Sequence, residues 1–236
     1  MNWTFLLAVA WLSALTATNQ PKPTPVPTIK GKMSAVMRQG KLGPVISTDT
    51  LNQKNLYGFG PMAYLKGELL VLDGKVYQST VINKKQMEVK EVGKATAPFF
   101  GYAHIAGWKQ VVMPDSISDL ITLENYLNQT IGATNPNYKT FYKLKVKAKE
   151  AIIHLVNLPK GTKVSSPEQA HKGLVQYPIS NQEVEILGFY SQQHQTIFTH
   201  HDTNLHLHLI SADRLTMGHL ETITFEPKKV QLFLPE

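Results

Sequence analysis

The chain of 236 residues is 42% hydrophobic and 17% charged, enough for one sizeable core or two smaller lobes, which excludes collagen-like, coiled-coil and wholly disordered organisation. It carries 24 Lys and Arg against 17 Asp and Glu, a formal charge of +7 that favours solubility and steering of anions without dictating a fold. Cysteine is absent, so a disulfide framework, thiol catalysis, thiolate metal sites and a lipidated cysteine anchor are excluded, and any metal must be held by His, Asp or Glu.

Residues 1–18, MNWTFLLAVAWLSALTAT, are apolar from Phe5 to Leu15 apart from Ser13 and run into small residues such as Ala17. The run is too short to span a bilayer and reads as a secretory signal peptide, although its n-region lacks Lys and Arg; an exported protein, periplasmic or secreted, is expected. Residues 19–31 place Pro21, Pro23, Pro25 and Pro27 at alternate positions, an extended spacer unable to join a sheet centrally. The folded part is expected over 32–236, in approximate lobes 32–150 and 151–236.

Strand signals dominate from there. Glu68 to Leu72, then Asp73-Gly74, then Lys75 to Thr80 predict a hairpin, because Asp-Gly supplies the positive φ angles of a tight turn. Further extended segments are predicted near 32–38, 87–92, 98–105, 140–149, 183–191, 204–211 and 218–234. Ser116 followed by Asp119 reads as a capping box for a helix carrying Ile117, Leu120, Ile121 and Leu127 through about Gln129. A shorter helix starts at Ser166 with Pro167 in its first turn. The predicted fold class is α/β of a β-rich mixed kind, with two lobes built on mixed or antiparallel sheets and few helices.

The chemistry concentrates near the C-terminus. Leu205-His-Leu-His-Leu-Ile210 is followed by His219, an H-x-H-x10-H arrangement. In a strand, alternate side chains share a face, so His206 and His208 point one way, about 6–7 Å apart, and the leucines the other. The segment Ser211 to Gly218 is long enough to reverse the chain and return His219 opposite His208. Three neutral imidazoles with an open fourth position suit Zn2+ or another divalent metal in a catalytic role. Against this, a lone H-x-H among nine histidines is often a polar strand face; the third histidine after a hairpin favours the metal. His200 and His201 are adjacent, point apart in an extended chain and are left out of the ligand set.

Two further features carry charge. Glu68 opens an apolar strand, where pattern alone favours an edge or turn residue over a catalytic one. Tyr142 to Lys149 alternates strictly, with Lys143, Lys145, Lys147 and Lys149 on one face. Such a row is usually a solvated sheet face, and without interleaved aromatic residues on it nucleic acid is not an expected partner.

Taken together, several segments resemble the alpha-acetolactate decarboxylases: Tyr57-Gly-Phe-Gly60, Leu65-Lys-Gly-Glu-Leu-Leu-Val-Leu-Asp-Gly74 with Tyr77-Gln78, Pro98-Phe99, Phe141-Tyr142, Gly188-Phe189, His206-Leu-His208 with Arg214 and Gly218-His219, and Leu232-Phe-Leu-Pro235. They occur in the family's order over roughly 33–235. The resemblance implies a zinc enzyme that converts 2-acetolactate to acetoin and carbon dioxide, a dimer built from two mixed lobes that takes a small 2-hydroxy-3-keto acid; because no other stretch is apolar enough to span a bilayer, no stable membrane insertion is expected after signal cleavage. It implies metal ligands at His206, His208 and His219 and an active-site glutamate at Glu68.

The resemblance has departures. The family's catalytic arginine falls on Lys145, which offers charge without a two-pronged planar grip. Its C-terminal tail, with a second active-site glutamate, has no counterpart, and Glu221 and Glu236 are both near the right elements with nothing to choose between them. Pro61 stands where the family tends to have Thr or Ser. These departures leave two alternatives: the same scaffold acting on a different substrate, and a non-catalytic metal- or ligand-binding module.

Overall fold

The computed structural model describes residues 25–236; the expected signal segment and residues 19–24 of the spacer lie outside the described residues. In chain order the elements are β1 (Thr28–Lys30), α1 (Met33–Gln39), β2 (Ile46–Ser47), β3 (Leu56–Pro61), β4 (Glu68–Leu72), β5 (Lys75–Asn83), β6 (Gln86–Val92), β7 (Thr96–Ala97), β8 (Phe100–His104) and β9 (Trp108–Val111). They continue with α2 (Leu120–Leu127), β10 (Lys139–Leu155), α3 (Pro167–Ala170), β11 (Val175–Ser191), β12 (Leu205–Ser211), β13 (Met217–Phe225) and β14 (Gln231–Pro235). The fold is β-rich with few helices, and every ladder among these strands is antiparallel.

The first sheet runs β1-β8-β3-β4-β5-β6. Its centre is the predicted hairpin: Leu72 pairs with Lys75, and Asp73 and Gly74 take φ of 50° and 80°, the two positive angles a two-residue turn needs. Strands β3 and β4 are buried along their whole length, which puts this hairpin in the middle of the molecule. The second sheet runs β11-β12-β13-β10-β14-β9, and β11 also pairs with β10, so the ladder β10-β11-β12-β13 returns to its first strand. Inside that closed ladder lie Leu144, Val146, Ile153, Ile186, Leu205, Leu207, Leu209 and Ile223, with Leu123 and Leu127 of α2 packed on the same core.

A second apolar layer joins the two sheets. Phe141, Leu187, Phe189, Ile210 and Met217, on the outward face of the closed ladder, meet Phe59, Leu70, Tyr77 and Phe99 of the first sheet. The alternation in β12 therefore works as the sequence predicts: leucines enter the closed ladder, while His206, His208 and Ile210 face the junction between sheets.

Several predicted boundaries change. Residues 33–39 form a helix, not a strand; Met33 and Val36 are spaced for one helical face, and Gly40 caps it in the left-handed region at φ 63°. Thr28–Lys30, assigned from sequence to the spacer, pairs with Phe100–Tyr102 at the edge of the first sheet, where upstream prolines are tolerated. The expected lobe boundary at 150/151 falls inside β10; the chain instead crosses between sheets at 105–107, between β8 and β9. The capping box of α2 is Asp119 with Thr122 rather than Ser116 with Asp119. The long segment 218–234 is two strands, broken at Pro227.

One departure positions the site. In β10, Lys143, Lys145 and Lys147 alternate with buried Leu144 and Val146, but the register with β13 shifts between Ala148 and Glu150. This bulge resets the alternation, so that Ala151, Ile153 and Leu155 fill the core and the even-numbered His154 joins the outward face. Phe59 is the hub of the junction, with ring centroids 5.5 Å from Phe141, 5.4 Å from Phe198 and 4.7 Å from both His206 and His208. Phe59→Ala is expected to cost about 3–5 kcal/mol of stability in urea unfolding of the metal-free protein; a loss below about 1 kcal/mol would show that the sheets are not joined through this ring.

Candidate metal centre

His206 and His208 lie two residues apart on β12, and His208 is the direct cross-strand partner of His219 on β13. The pairing follows from the eight-residue reversal Ser211–Gly218, in which Arg214 takes a φ of 61°. One nitrogen from each of the three rings lies within 4.8 Å of the others, so the group could hold a metal ion. His206 Nδ1 donates to the Phe198 carbonyl at 2.6 Å, which leaves the Nε2 lone pair free.

Residues present fit an ion. His208 is fully buried, and neither of its ring nitrogens has a hydrogen-bond partner; the Leu69 backbone lies near it without hydrogen-bonding geometry. An orphaned buried imidazole is costly, and a cation on its lone pair removes that cost. Burial pushes His208 down to about 3 and, together with neighbouring imidazoles, drives His206 and His219 well below the usual histidine range. All three are therefore neutral at pH 7 and present lone pairs rather than protons.

Glu68 opens β4 between β3 and β5, opposite Pro61 and Ser79, and is 2% exposed. Gly67 before it has a φ of 142° and lies against the Ser79 carbonyl, a backbone path that only glycine follows without strain. Burial raises Glu68 to about 8, opposed by the Val156 N–H, which donates to Oε1 at 3.3 Å. Oε2 sits 3.7 Å from His208 Nε2. With both groups neutral at pH 7 this is a juxtaposition of a protonated carboxyl and an imidazole rather than an ion pair. The edge position that pattern alone favoured is thus replaced by a central, buried one.

A second layer of imidazoles, missed in the sequence, surrounds the first. His154 stacks on His219 with centroids 4.5 Å apart, and its Nδ1 donates to Glu221 Oε1 at 2.8 Å. Glu221 Oε2 in turn accepts from Gln176 Nε2 at 2.5 Å. His200 turns inward with its ring 5.4 Å from His219, His171 lies 6.4 Å from His154, and His201 is exposed. Of the two glutamates left open by the sequence, Glu221 lines the cavity beside the triad, whereas Glu236 packs against Gly107. That cavity measures about 510 Å³ and has an apolar wall that includes Leu120, Ile121 and Leu174.

Lys145 is not brought to this centre. It faces outward on β10 opposite Glu185 and Gln231, exposed, with Nζ 5.9 Å from the Phe233 ring. The part of β10 that reaches the triad lies beyond the bulge, at His154. Arg214 is likewise engaged elsewhere, bonded to Glu185 at 3.0 Å and lying over Tyr77.

These shifts give the metal-free protein a bounded pH range. Glu68 ionises near its ordinary 4.5 when unfolded but keeps its proton to about 8 when folded, so its contribution is complete below 4.5 and is lost as pH rises toward 8. The triad imidazoles stay neutral when folded but take protons near 6.5 when unfolded, so stability also falls as pH drops below that, by up to about 1.4 kcal/mol per pH unit for each ring. Glu68→Gln removes the alkaline arm: its urea midpoint should exceed that of the native chain at pH 7.5 and approach it near pH 4. Parallel curves across that range would show that Glu68 is not held protonated.

The comparisons agree with this architecture. The sequence pattern of the alpha-acetolactate decarboxylase family matches residues 30–234. An acetolactate decarboxylase from Bacillus subtilis subspecies spizizenii superposes with a TM-score of 0.72 at 17% identity, over 89% of this chain and 85% of that one. A Staphylococcus aureus protein described as of unknown function and similar to alpha-acetolactate decarboxylase superposes with a TM-score of 0.71 at 14% identity, over the same shares. No curated protein matches the chain. At these identities the superpositions establish the fold, and the match across nearly the whole described chain establishes the lineage: the chain belongs to the alpha-acetolactate decarboxylase family.

Proposed function

We propose that this chain is a metal-dependent carboxy-lyase that decarboxylates 2-acetolactate, or a related 2-hydroxy-3-keto acid, to an acyloin such as acetoin and carbon dioxide. The observation that carries the reading is the group of three neutral imidazoles, those of His206 and His208 buried and that of His219 partly so, with both nitrogens of His208 unpartnered, beside the protonated Glu68. His206, His208 and His219 would hold the ion, with zinc the first choice for an all-imidazole set. When bound, the ion supplies Lewis-acid stabilisation of the negative charge that grows on the substrate oxygens as carbon dioxide leaves.

The protein supplies the rest. Val156 fixes Oε1 of Glu68, so the proton resides on the Oε2 side, facing His208, where it can be given to the carbon that loses carbon dioxide. Phe59 and Phe198 wall the imidazoles on the side of the sheet junction and exclude water there. His154, fixed by Glu221, keeps the His219 ring in place by stacking. Lys145 has no part in this reading. A substrate bulkier than acetolactate is the second reading, favoured by the size and apolar wall of the cavity. Export through the apolar N-terminal segment belongs to the same proposal.

Acetoin release from racemic acetolactate, abolished by chelator and restored by zinc, tests the reading. Glu68→Gln should lower kcat by about 100-fold or more while zinc content stays at the native level, whereas Lys145→Ala should stay within about twofold. No acetoin from fully zinc-loaded protein would overturn the substrate assignment.

A further inference from the structure

The proposed substrate is an anion, yet the structure offers it no permanent cation. Two cavities border the triad, the large one toward α2 and a narrow one beside Glu68 and Phe99, and neither is lined by a Lys or Arg among the described residues. The nitrogen donors that line both, apart from the triad, are His154, His171 and His200. His154 already commits its Nδ1 to Glu221 Oε1. That leaves two rings.

We infer that the substrate carboxylate is received by the ring N–H groups of His171 and His200, imidazole donors that take the place of a guanidinium or ammonium. His171 follows the last residue of α3, a helix anchored by Ser166, whose hydroxyl accepts from the Gln169 N–H. His200 sits in the loop between β11 and β12. Neither ring makes a hydrogen bond among the described residues, and each offers one N–H, enough for the two oxygens of one carboxylate. Two of the carboxylates on the cavity wall are already engaged: Glu124 accepts from Thr203 Oγ1 and the Asn204 N–H, and Glu221 from His154 and Gln176. Asp202, the third, is mostly exposed beside His201.

The identity of the anion rests on the decarboxylase reading, whereas the carboxylate site itself is tested by binding. The zinc-loaded full chain is titrated calorimetrically with 2,3-dihydroxy-2-methylbutanoate, in which the substrate ketone is reduced to a hydroxyl, and with 2-methylbutane-2,3-diol, which lacks the carboxylate. The acid should bind at least about tenfold more tightly than the diol, and His171→Phe and His200→Phe should each weaken the acid by about tenfold while leaving zinc content and diol affinity unchanged. His171→Gln and His200→Gln restore an N–H and should recover part of the loss. Equal affinity of acid and diol in the native chain, or native acid affinity in both Phe variants, overturns the assignment. Native protein that releases no acetoin but keeps a histidine-dependent preference for the acid removes the decarboxylase reading and supports the carboxylate site.

Discussion

The constraint on which the rest depends is the burial of the polar face of β12 in the apolar junction between two sheets. His206 is 3% exposed and His208 fully buried, packed against Phe59 and Phe198 in a layer that is otherwise aliphatic and aromatic. Desolvating an imidazole without a partner costs about 1–3 kcal/mol per unsatisfied group. His206 avoids part of that cost through the Phe198 carbonyl; His208 has no such relief among the described residues. The fold therefore carries an electrostatic debt that a cation at the three rings would cancel, and the same burial keeps those rings neutral and ready to bind one. Stability and ligand readiness have one cause.

Topology decides which other groups share that junction. The ladder β10-β11-β12-β13 closes on β10, so β10 borders β11 along its length and meets β13 near its C-terminal end, where His154 pairs with His219. The bulge near Lys149 determines which face of β10 is presented there. Without it, strict alternation would place the side chain at 154 in the core and a neighbouring one against His219. The first sheet contributes through Gly67, whose backbone turns the chain so that Glu68 enters β4 facing the triad. Four strands and two register shifts between β10 and β13, one near Lys149 and one that skips Glu221, thus deliver the groups that matter.

Local signals in the sequence carried the β12 alternation, the Asp73-Gly74 turn and the return of His219, because each depends on periodicity or turn chemistry within about fifteen residues. Glu68 was legible only through the family resemblance, since nothing local reveals that another sheet covers its strand. The helix at 33–39 was missed although Met33, Val36 and Met37 have helical spacing and Gly40 follows, signals that could have found it. His154 was illegible for a different reason, and Glu221 stood only as one of two open glutamates: the two meet across 67 residues of sequence, and a one-residue bulge reverses the face on which alternation would place His154. Lys145 lies before that bulge, on the solvated lysine face that strict alternation gives it, and the structure leaves its ammonium over Phe233.

A site with no lysine or arginine among its described residues suits the chemistry proposed for it. Decarboxylation removes negative charge from the carboxylate and moves it onto the neighbouring oxygens, so a strong cation at the carboxylate would favour the ground state over the transition state. Such a cation would also repel a divalent ion held a few ångströms away, in a setting where burial weakens screening. A pair of imidazole N–H donors orients the carboxylate with less of that penalty, and its grip fades as carbon dioxide becomes neutral. The positive charge is then concentrated where the new negative charge appears, at the three rings of β12 and β13. In this arrangement the outward-facing lysines of β10 are free to serve the surface, and the absence of a cationic side chain from the cavity becomes a property of the site rather than a gap in it.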